Sequence, residues 1–265
     1  MKKVDQQASS GACSTPAGFF MMKKWMVAAG LLAAIKSPAQ KQVTVMQQSW
    51  LGLVQQVRLS QHWGLLADAQ YRTVQHWAEG NNFLLSRLGG TWYSNSQLQL
   101  AGGYAYQYLF AQNGTLLRQE HRLWQQAQWT NSWSRARFQQ RVRMEERWRE
   151  QFATSAQKTK SYQYLWRASM QLQLAYPLTK KAAGPGATAL LLAEEALFNL
   201  GKAVVYNHFD QNRLSAGFQV QVGSQDQLQA TYMRIFQQLA AGSHYRQIHC
   251  GRIFYTHTID LRRKS

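Results

Sequence analysis

Residues Tyr162–Tyr176 read YQYLWRASMQLQLAY, and every second position in this run is apolar. The apolar set consists of Tyr162, Tyr164, Trp166, Ala168, Met170, Leu172, Leu174 and Tyr176. Most of the residues between them are polar. This period of two is that of a β-strand, whereas a helix would spread the same apolar side chains around its whole circumference. The run therefore predicts one long strand with an apolar face and a polar face.

The length and order of this strand favour a membrane setting. Its 15 residues would span roughly 50 Å at about 3.3 Å per residue, and a soluble strand usually has only about 5–6 residues. Aromatic residues open the apolar face, aliphatic residues fill its middle, and Tyr176 closes it. Transmembrane strands place aliphatic side chains between two interfacial aromatic belts in this way. A long strand of a soluble barrel or sandwich is the alternative interpretation.

Similar segments recur along the chain. They are Trp50–Leu59, Trp63–Thr73, Phe83–Tyr93, Gln97–Gln107, Leu117–Trp129, Ser134–Trp148, Tyr162–Tyr176, Leu190–Leu200, Gln211–Val222, Asp226–Phe236 and Gln247–Leu261. Arg135–Trp148 also fits an amphipathic helix, but its neighbours on both sides predict strands. Single-chain bacterial barrels have an even number of strands, so we expect ten or twelve. The sequence thus predicts an all-β fold, a single transmembrane antiparallel up-and-down β-barrel of about 10–12 strands, preceded by a signal peptide.

The first 39 residues differ in composition from the rest of the chain. Met22-Lys23-Lys24 is followed by the apolar run Trp25–Ile35 and then by Ser37-Pro38-Ala39. A basic start, a short apolar run and a small-x-small site are typical of a secretory signal peptide. We expect residues 1–20 to be a mis-called upstream segment, 21–39 the signal peptide, and 40–265 one outer-membrane β-barrel domain. Cys13 and Cys250 lie too far apart to indicate a disulfide framework.

Charge is the third signal, since 30 Lys and Arg against 12 Asp and Glu give a formal net charge of +18. Many of the arginines alternate with apolar residues, so they fall on the polar faces of the predicted strands. In a closed barrel those faces line the lumen. The expected lumen-lining residues are Asp68, Arg72, Arg87, Glu120, Arg122, Arg135, Arg137, Arg141, Arg143, Glu145, Arg147, Arg167, Arg213 and either Glu194 or Glu195, of which we favour Glu195. This set is either the polar filling of a barrel or a basic constriction that selects anions.

No catalytic or ligand-binding motif accompanies these features. None of the seven His has a Ser two positions away on a clear strand, and Ser243-His244 would point to opposite faces of a strand. No His pair with a carboxylate or thiol has metal-ligand spacing, and no glycine-rich phosphate loop opens a helix. We therefore expect no enzyme activity, no catalytic residue, no metal and no cofactor. Nucleic-acid binding would rest on charge alone.

Short motifs in the same order as the strands carry a family resemblance. They are Trp50-Leu51-Gly52, Asp68-x-x-x-Arg72, Gly102-Gly103-Tyr104, Glu120-His121-Arg122-x-Trp124-Gln125-Gln126, Arg141-x-Arg143-x-Glu145-x-Arg147, Glu195, Asp210-Gln211-Asn212-Arg213 and Thr258-Ile259-Asp260-Leu261-Arg262. Together they make the chain resemble the outer-membrane β-barrel family of Bacteroidota catalogued as domain of unknown function 2490. The resemblance implies a fold and a location, and no established activity. The chain departs from barrels in general by ending in Arg262-Arg263-Lys264-Ser265 rather than in an aromatic residue.

Three functions remain open from the sequence. The first is a small porin-like channel in the cell outer membrane, with a basic, anion-favouring lumen lined by arginine. The second is a sealed barrel with a structural role or with lipid or protein partners, and the third and least favoured is an outer-membrane lipid hydrolase. The expected partners are outer-membrane lipids including lipopolysaccharide, the barrel-assembly machinery and small anions, and no nucleic acid.

Overall fold

Eleven β-strands make up the computed structural model of this chain. The structure describes residues 41–262 except residues 112, 155, 156, 182 and 183, and it describes only the backbone of residues 75, 81, 152–154 and 157–160. The strands are β1 (Gln42–Arg58), β2 (Trp63–Gln75), β3 (Glu79–Tyr93), β4 (Leu98–Phe110), β5 (Leu116–Trp133), β6 (Ala136–Thr154), β7 (Gln157–Pro177), β8 (Thr188–Leu200), β9 (Phe209–Gln221), β10 (Asp226–Gln238) and β11 (His244–Asp260). Each of the eleven segments expected from the sequence overlaps one strand.

The strands close into a single barrel in which each is hydrogen-bonded to its neighbours in sequence. Consecutive strands pair antiparallel, and the barrel is closed by β1 and β11, which pair parallel from Gln42↔His244 to Arg58↔Asp260. The all-β barrel of about 10–12 strands is confirmed. The expectation of an even strand number is wrong, and so is that of antiparallel pairing throughout. An odd number of up-and-down strands leaves the first and last strands pointing the same way.

The barrel carries its apolar side chains outside. On β7, Tyr162, Tyr164, Met170, Leu172 and Tyr176 are exposed, whereas Arg167, Ser169, Gln171 and Gln173 line interior cavities. The apolar face read from the sequence is thus the outer face of the barrel. Across the whole sheet, large apolar residues such as Leu53 and Leu88 are 63% exposed, while Glu120, Arg122, Glu145 and Arg147 are buried.

Glycines let two of the strands and one large side chain approach closely. Gly89 of β3 pairs with Gly103 of β4, and the indole of Trp124 lies against Gly89. A Cβ on Gly89 would come within 2.6 Å of that ring, and a Cβ on Gly103 within 2.1 Å of the Leu88 carbonyl oxygen. Trp124 is 2% exposed, and it packs with Leu85, Ala101 and Ala105 in a small apolar cluster inside the barrel.

The barrel has two different mouths, which we name by the chain ends. The N-mouth is the end where β1 begins, and the C-mouth is the end where β11 finishes. The connections 59–62, 94–97, 134–135, 178–187 and 222–225 lie at the C-mouth. Among the described residues no helix is long and apolar enough to cross a membrane, and that finding does not bear on strands. The expected upstream segment, residues 1–20, and the expected signal peptide, residues 21–39, lie outside the described residues.

Candidate functional site

The lumen contains two cavities that meet in the middle of the barrel. The cavity on the C-mouth side has a volume of about 460 Å³, and glutamines dominate its lining. The cavity on the N-mouth side has a volume of about 510 Å³, and arginines and carboxylates dominate its lining. Both are lined by Trp50, Arg72, Arg87, Arg143, Glu195 and Arg213. We call this shared layer the waist. It holds four arginines and one carboxylate, so the narrow centre of the lumen is positively charged.

A chain of ion pairs runs along the wall from β5 to β9. Glu120 accepts from Arg122 at 2.9 Å, from Arg149 at 3.3 Å and, at short range, from Arg147. Glu145 accepts from Arg167 Nε at 2.9 Å. These contacts tie β5, β6 and β7 together within the lumen. Because guanidinium–carboxylate contacts are the strong class of hydrogen bond, this wall is rigidly cross-linked.

Two further contacts reach across a strand rather than to the next one. Arg167 of β7 lies 3.4 Å from Asp210 of β9, and Arg141 of β6 donates to Glu195 of β8 at 2.7 Å. Glu195 also accepts from Arg213 of β9 at 2.9 Å. Glu194, the next residue, points outward and accepts from Asn212. The structure therefore assigns Glu195, rather than Glu194, to the lumen.

The opposite wall, formed by β10, β11 and β1, is apolar. Trp50, Met233, Ile235, Ile248, Cys250 and Phe254 form one buried cluster there. Two arginines lie over this cluster, Arg72 with its guanidinium 3.8 Å from the Trp50 ring centre and Arg252 with its guanidinium 4.3 Å from the Phe254 ring centre. Among the ion pairs of the described residues, none includes Arg72 or Arg252. In the part of the chain that the structure describes, most arginines of the wall from β5 to β9 are thus ion-paired, whereas Arg72 and Arg252 are not.

The lumen-lining residues expected from the sequence are brought together, with one exception. The cavities are lined by Asp68, Arg72, Arg87, Glu120, Arg122, Arg137, Arg141, Arg143, Glu145, Arg147, Arg167, Glu195 and Arg213. Asp68 accepts from Arg87 at 2.7 Å. Arg135 is the correction: it lies exposed in the connection between β5 and β6 and donates to the Thr179 carbonyl. Alternation along β6 places Arg135 on the same face as Arg137 and Arg141. The strand begins only at Ala136, however, so the Arg135 side chain lies outside the lumen.

Several lumenal residues were missed by the sequence analysis. They are Trp50, Arg118, Arg149, Asp210, Arg246 and Arg252. Arg149 continues the alternation of Arg143, Glu145 and Arg147, and that signal was available. Alternation could not predict the lumenal position of Asp210, because the β8–β9 register shifts between Leu197 and Phe198. Without that irregularity the alternation would place Asp210 outside. On β11 the inward face mixes basic and apolar residues, which hides its period.

The histidines lie away from the lumenal charges. His121 and His249 contact the phenol oxygens of Tyr104 and Tyr232, and His257 shares Asp226 with Tyr255 at the C-mouth. Within the described ranges, no group of three or more His, Cys, Asp or Glu could hold a metal ion. Beyond the last strand, hydrogen bonds to Asp260 raise the pKa of Arg262 above its ordinary value.

Fold and lumen together define a class, that of closed β-barrels with an apolar outer surface and a charged interior. The chain belongs to the family described as Protein of unknown function (DUF2490), which it matches over residues 47–246. The match begins within β1 and ends within β11, so it covers the barrel almost completely. No match was found among curated proteins or among solved structures.

Proposed function

We propose that this protein is an outer-membrane β-barrel whose narrow lumen passes small anions in preference to cations. The inverted distribution of polarity carries the proposal. A soluble barrel buries its apolar face, whereas this one exposes apolar residues on its outer face and buries charged ones inside. Hydrocarbon is the solvent that favours such a surface, and a closed sheet is the only sheet that leaves no unpaired backbone edge in it.

Strand length and aromatic placement support the membrane setting. A tilted transmembrane strand needs about 9–11 residues, and the shortest strands here have 13. Near the C-mouth, Trp63, Trp92 and Trp129 border an outward apolar groove. Toward the N-mouth, outward rings of β4 and β7 are in mutual contact, as in Tyr106 with Tyr108 and Tyr164 with Trp166. Two aromatic belts are typical of barrels in lipid, and lipopolysaccharide would contact the belt on the cell-surface side.

The preference for anions follows from the waist. Arg143 donates to Gln126 Oε1 at 3.0 and 2.6 Å, and its nearest carboxylate oxygen, on Glu145, is 3.9 Å away. Its charge is thus only weakly compensated, as are those of Arg72 and Arg252. Rings of cationic side chains at a constriction favour anions over cations.

Conductance across a planar bilayer tests this proposal. The barrel, residues 40–265, would be inserted under a potassium chloride gradient after a gel heat-shift has shown that it is folded. We expect discrete channels whose reversal potential favours chloride. Arg143→Gln should reduce that preference, whereas Arg234→Gln, an outward residue of β10 that donates to Gln247, should leave it unchanged. A cation-selective reversal potential, or an equal effect of both variants, would contradict the proposal.

A sealed barrel is the second candidate, and the ion pairs that bridge over a strand on the lumenal wall favour it. Arg141–Glu195 and Arg167–Asp210 each bridge over a strand, and Arg72 stacks on Trp50 at the waist. A folded barrel that stays silent in the bilayer would select this candidate, in which the arginines hold the barrel wall together. The barrel would then act through its outer surface, on lipids or partners.

A further inference from the structure

We infer that the lumen binds an oxyanion of the phosphate class between two arginines of the waist, Arg72 and Arg213, and the adjoining Arg252, which lines the cavity on the C-mouth side. The inference deepens the proposed passage and rests on it for its biological role, although the site itself can be tested without any membrane. Its starting point is the position of the three arginines. In the paired strands Trp50 has Arg72 as its partner on β2 and Arg252 as its partner on β11.

The three arginines line the same cavity, the one on the C-mouth side. Arg72 and Arg213 lie 3.8 and 5.5 Å from the Trp50 ring centre. The buried Cys250 of β11 belongs to one apolar cluster with Trp50 and Phe254, the two rings over which Arg72 and Arg252 lie. Arg72 and Arg213 also repel each other. Three cations that line one partly dehydrated cavity are unfavourable, because like charges repel strongly there.

One carboxylate, Glu195, relieves that repulsion only in part. Glu195 is paired with Arg213, but it is shared with Arg141. Within the described chain, Arg72 and Arg252 make no ion pair, and Arg72 donates instead to Gln70 Oε1. The Nε atom of Arg72 is buried and has no hydrogen-bond partner. A buried donor without an acceptor is unfavourable, and an anion bound between the arginines would supply the missing acceptor.

The shape of the donors selects the kind of anion. A guanidinium group presents parallel N–H donors that match two oxygens of a phosphate or carboxylate, whereas chloride offers only one acceptor. The wall behind the site consists of Trp50, Met233, Ile248 and Phe254, which lowers the local dielectric and strengthens charge-assisted bonds. The adjoining cavities, about 460 and 510 Å³, leave room for a small ester as well as for free phosphate.

Calorimetry and thermal unfolding in detergent provide the test. The folded barrel would be titrated with inorganic phosphate, with glycerol phosphate, and with sodium chloride at matched ionic strength. We expect saturable heat and a raised unfolding temperature with phosphate, and neither with chloride. Tighter binding of glycerol phosphate would identify a phosphate ester as the ligand, and equal or weaker binding would identify free phosphate. Equal shifts with phosphate and chloride would overturn the inference.

Variants separate a site from a general charge effect. Arg252→Gln should weaken phosphate binding at least tenfold, and Arg252→Lys, which keeps the charge but loses the planar fork, should also weaken it. Because removing Arg252 relieves repulsion, the phosphate-free Arg252→Gln barrel should unfold at an equal or higher temperature than the unmodified one. Arg234→Gln is the outward control and should bind phosphate normally. Unchanged phosphate affinity in both Arg252 variants would refute the site, and a silent bilayer with intact phosphate binding would refute only the passage.

Discussion

Glu120 is the residue on which the charged wall of the lumen depends. It is 2% exposed and accepts from three arginines, Arg122, Arg147 and Arg149. Removing one partner from a buried ion pair costs more than the pair itself contributes, because the remaining charge stays buried without compensation. A single neutral substitution at Glu120 would therefore remove the negative charge that three guanidinium groups share.

Glu120→Gln should therefore lower the free energy of unfolding by about 3–5 kcal/mol. The measurement is equilibrium unfolding by urea in detergent, followed by tryptophan fluorescence and by the gel heat-shift. Asp260→Asn is the matched control, because Asp260 pairs with Arg262 at the exposed C-mouth, and exposed pairs contribute little. A loss as small for Glu120→Gln as for Asp260→Asn would show that lumenal water screens the network.

At the scale of single residues, alternation along the strands was enough to predict most of the lumen. It placed Arg72, Arg143 and Glu145 inside, because a strand directs every second side chain to the same face. It failed at Arg135, where the strand has not yet begun, and at Asp210, where an irregular register turns the side chain inward. Neither a strand boundary nor a bulge leaves a clear trace in a single sequence.

Strands β3 and β4 illustrate how an element depends on the absence of side chains. Gly89 faces Gly103, and the neighbouring pair is Gly90 with Gly102. The two residues of β3 differ, since a Cβ on Gly89 would strike Trp124 while a Cβ on Gly90 would meet nothing within 4 Å. The inward glycines make room for the Trp124 indole, and Gly90 faces outward.

Gly103→Ala should prevent β3 and β4 from pairing in their native register. Its Cβ would lie 2.1 Å from the Leu88 carbonyl oxygen and 2.5 Å from the Gly89 Cα, and backbone atoms of a paired strand have little freedom to move. We expect loss of the heat-shifted folded band. Gly90→Ala should fold normally and gain roughly 0.5 kcal/mol, because alanine restricts the unfolded chain more than glycine does. Equal folding of both variants would mean that the two strands are farther apart than described.

At the scale of elements, the sequence predicted where strands occur better than it predicted how long each strand is. All of the segment Arg135–Trp148 except Arg135 lies in β6. The strands that flank it outweigh its helix-forming residues. The expected first strand, Trp50–Leu59, is in fact Gln42–Arg58. Its first half, QVTVMQQS, mixes apolar and polar positions without regular alternation toward its end, and pairing with β11 extends it nonetheless.

The parallel seam between β1 and β11 is a property of the whole molecule, and cross-linking can test it. In a background with Cys250→Ser, one variant would carry cysteines at both Val45 and Gln247, and a second at both Leu53 and Tyr255. The two positions of each variant are partners in the parallel register. A short thiol-reactive linker should join both pairs. The mismatched pair Val45 with Tyr255, which an antiparallel seam would bring together, should stay unlinked. Linking of the mismatched pair alone would show that β1 and β11 pair antiparallel and would contradict the parallel seam.

The strand number could not be predicted from local pattern, even though eleven segments were visible. Closure is decided by two strands about 200 residues apart, and no turn or periodic signal connects them. The general preference of bacterial barrels for even strand numbers therefore led to an expectation of ten or twelve strands, although eleven segments had been counted and eleven strands are present. Family membership does not supply the strand number either, since the family is described only as a protein of unknown function.

An odd number of strands also gives the chain a sidedness. β1 starts at one mouth and β11 finishes at the other. In the proposed membrane, the start of β1 and the end of β11 therefore face different compartments. Ten strands can cross as five hairpins that return to the side from which they came. The eleventh has no returning partner, so either the start of β1 or the end of β11 must be carried to the far side of the membrane during assembly.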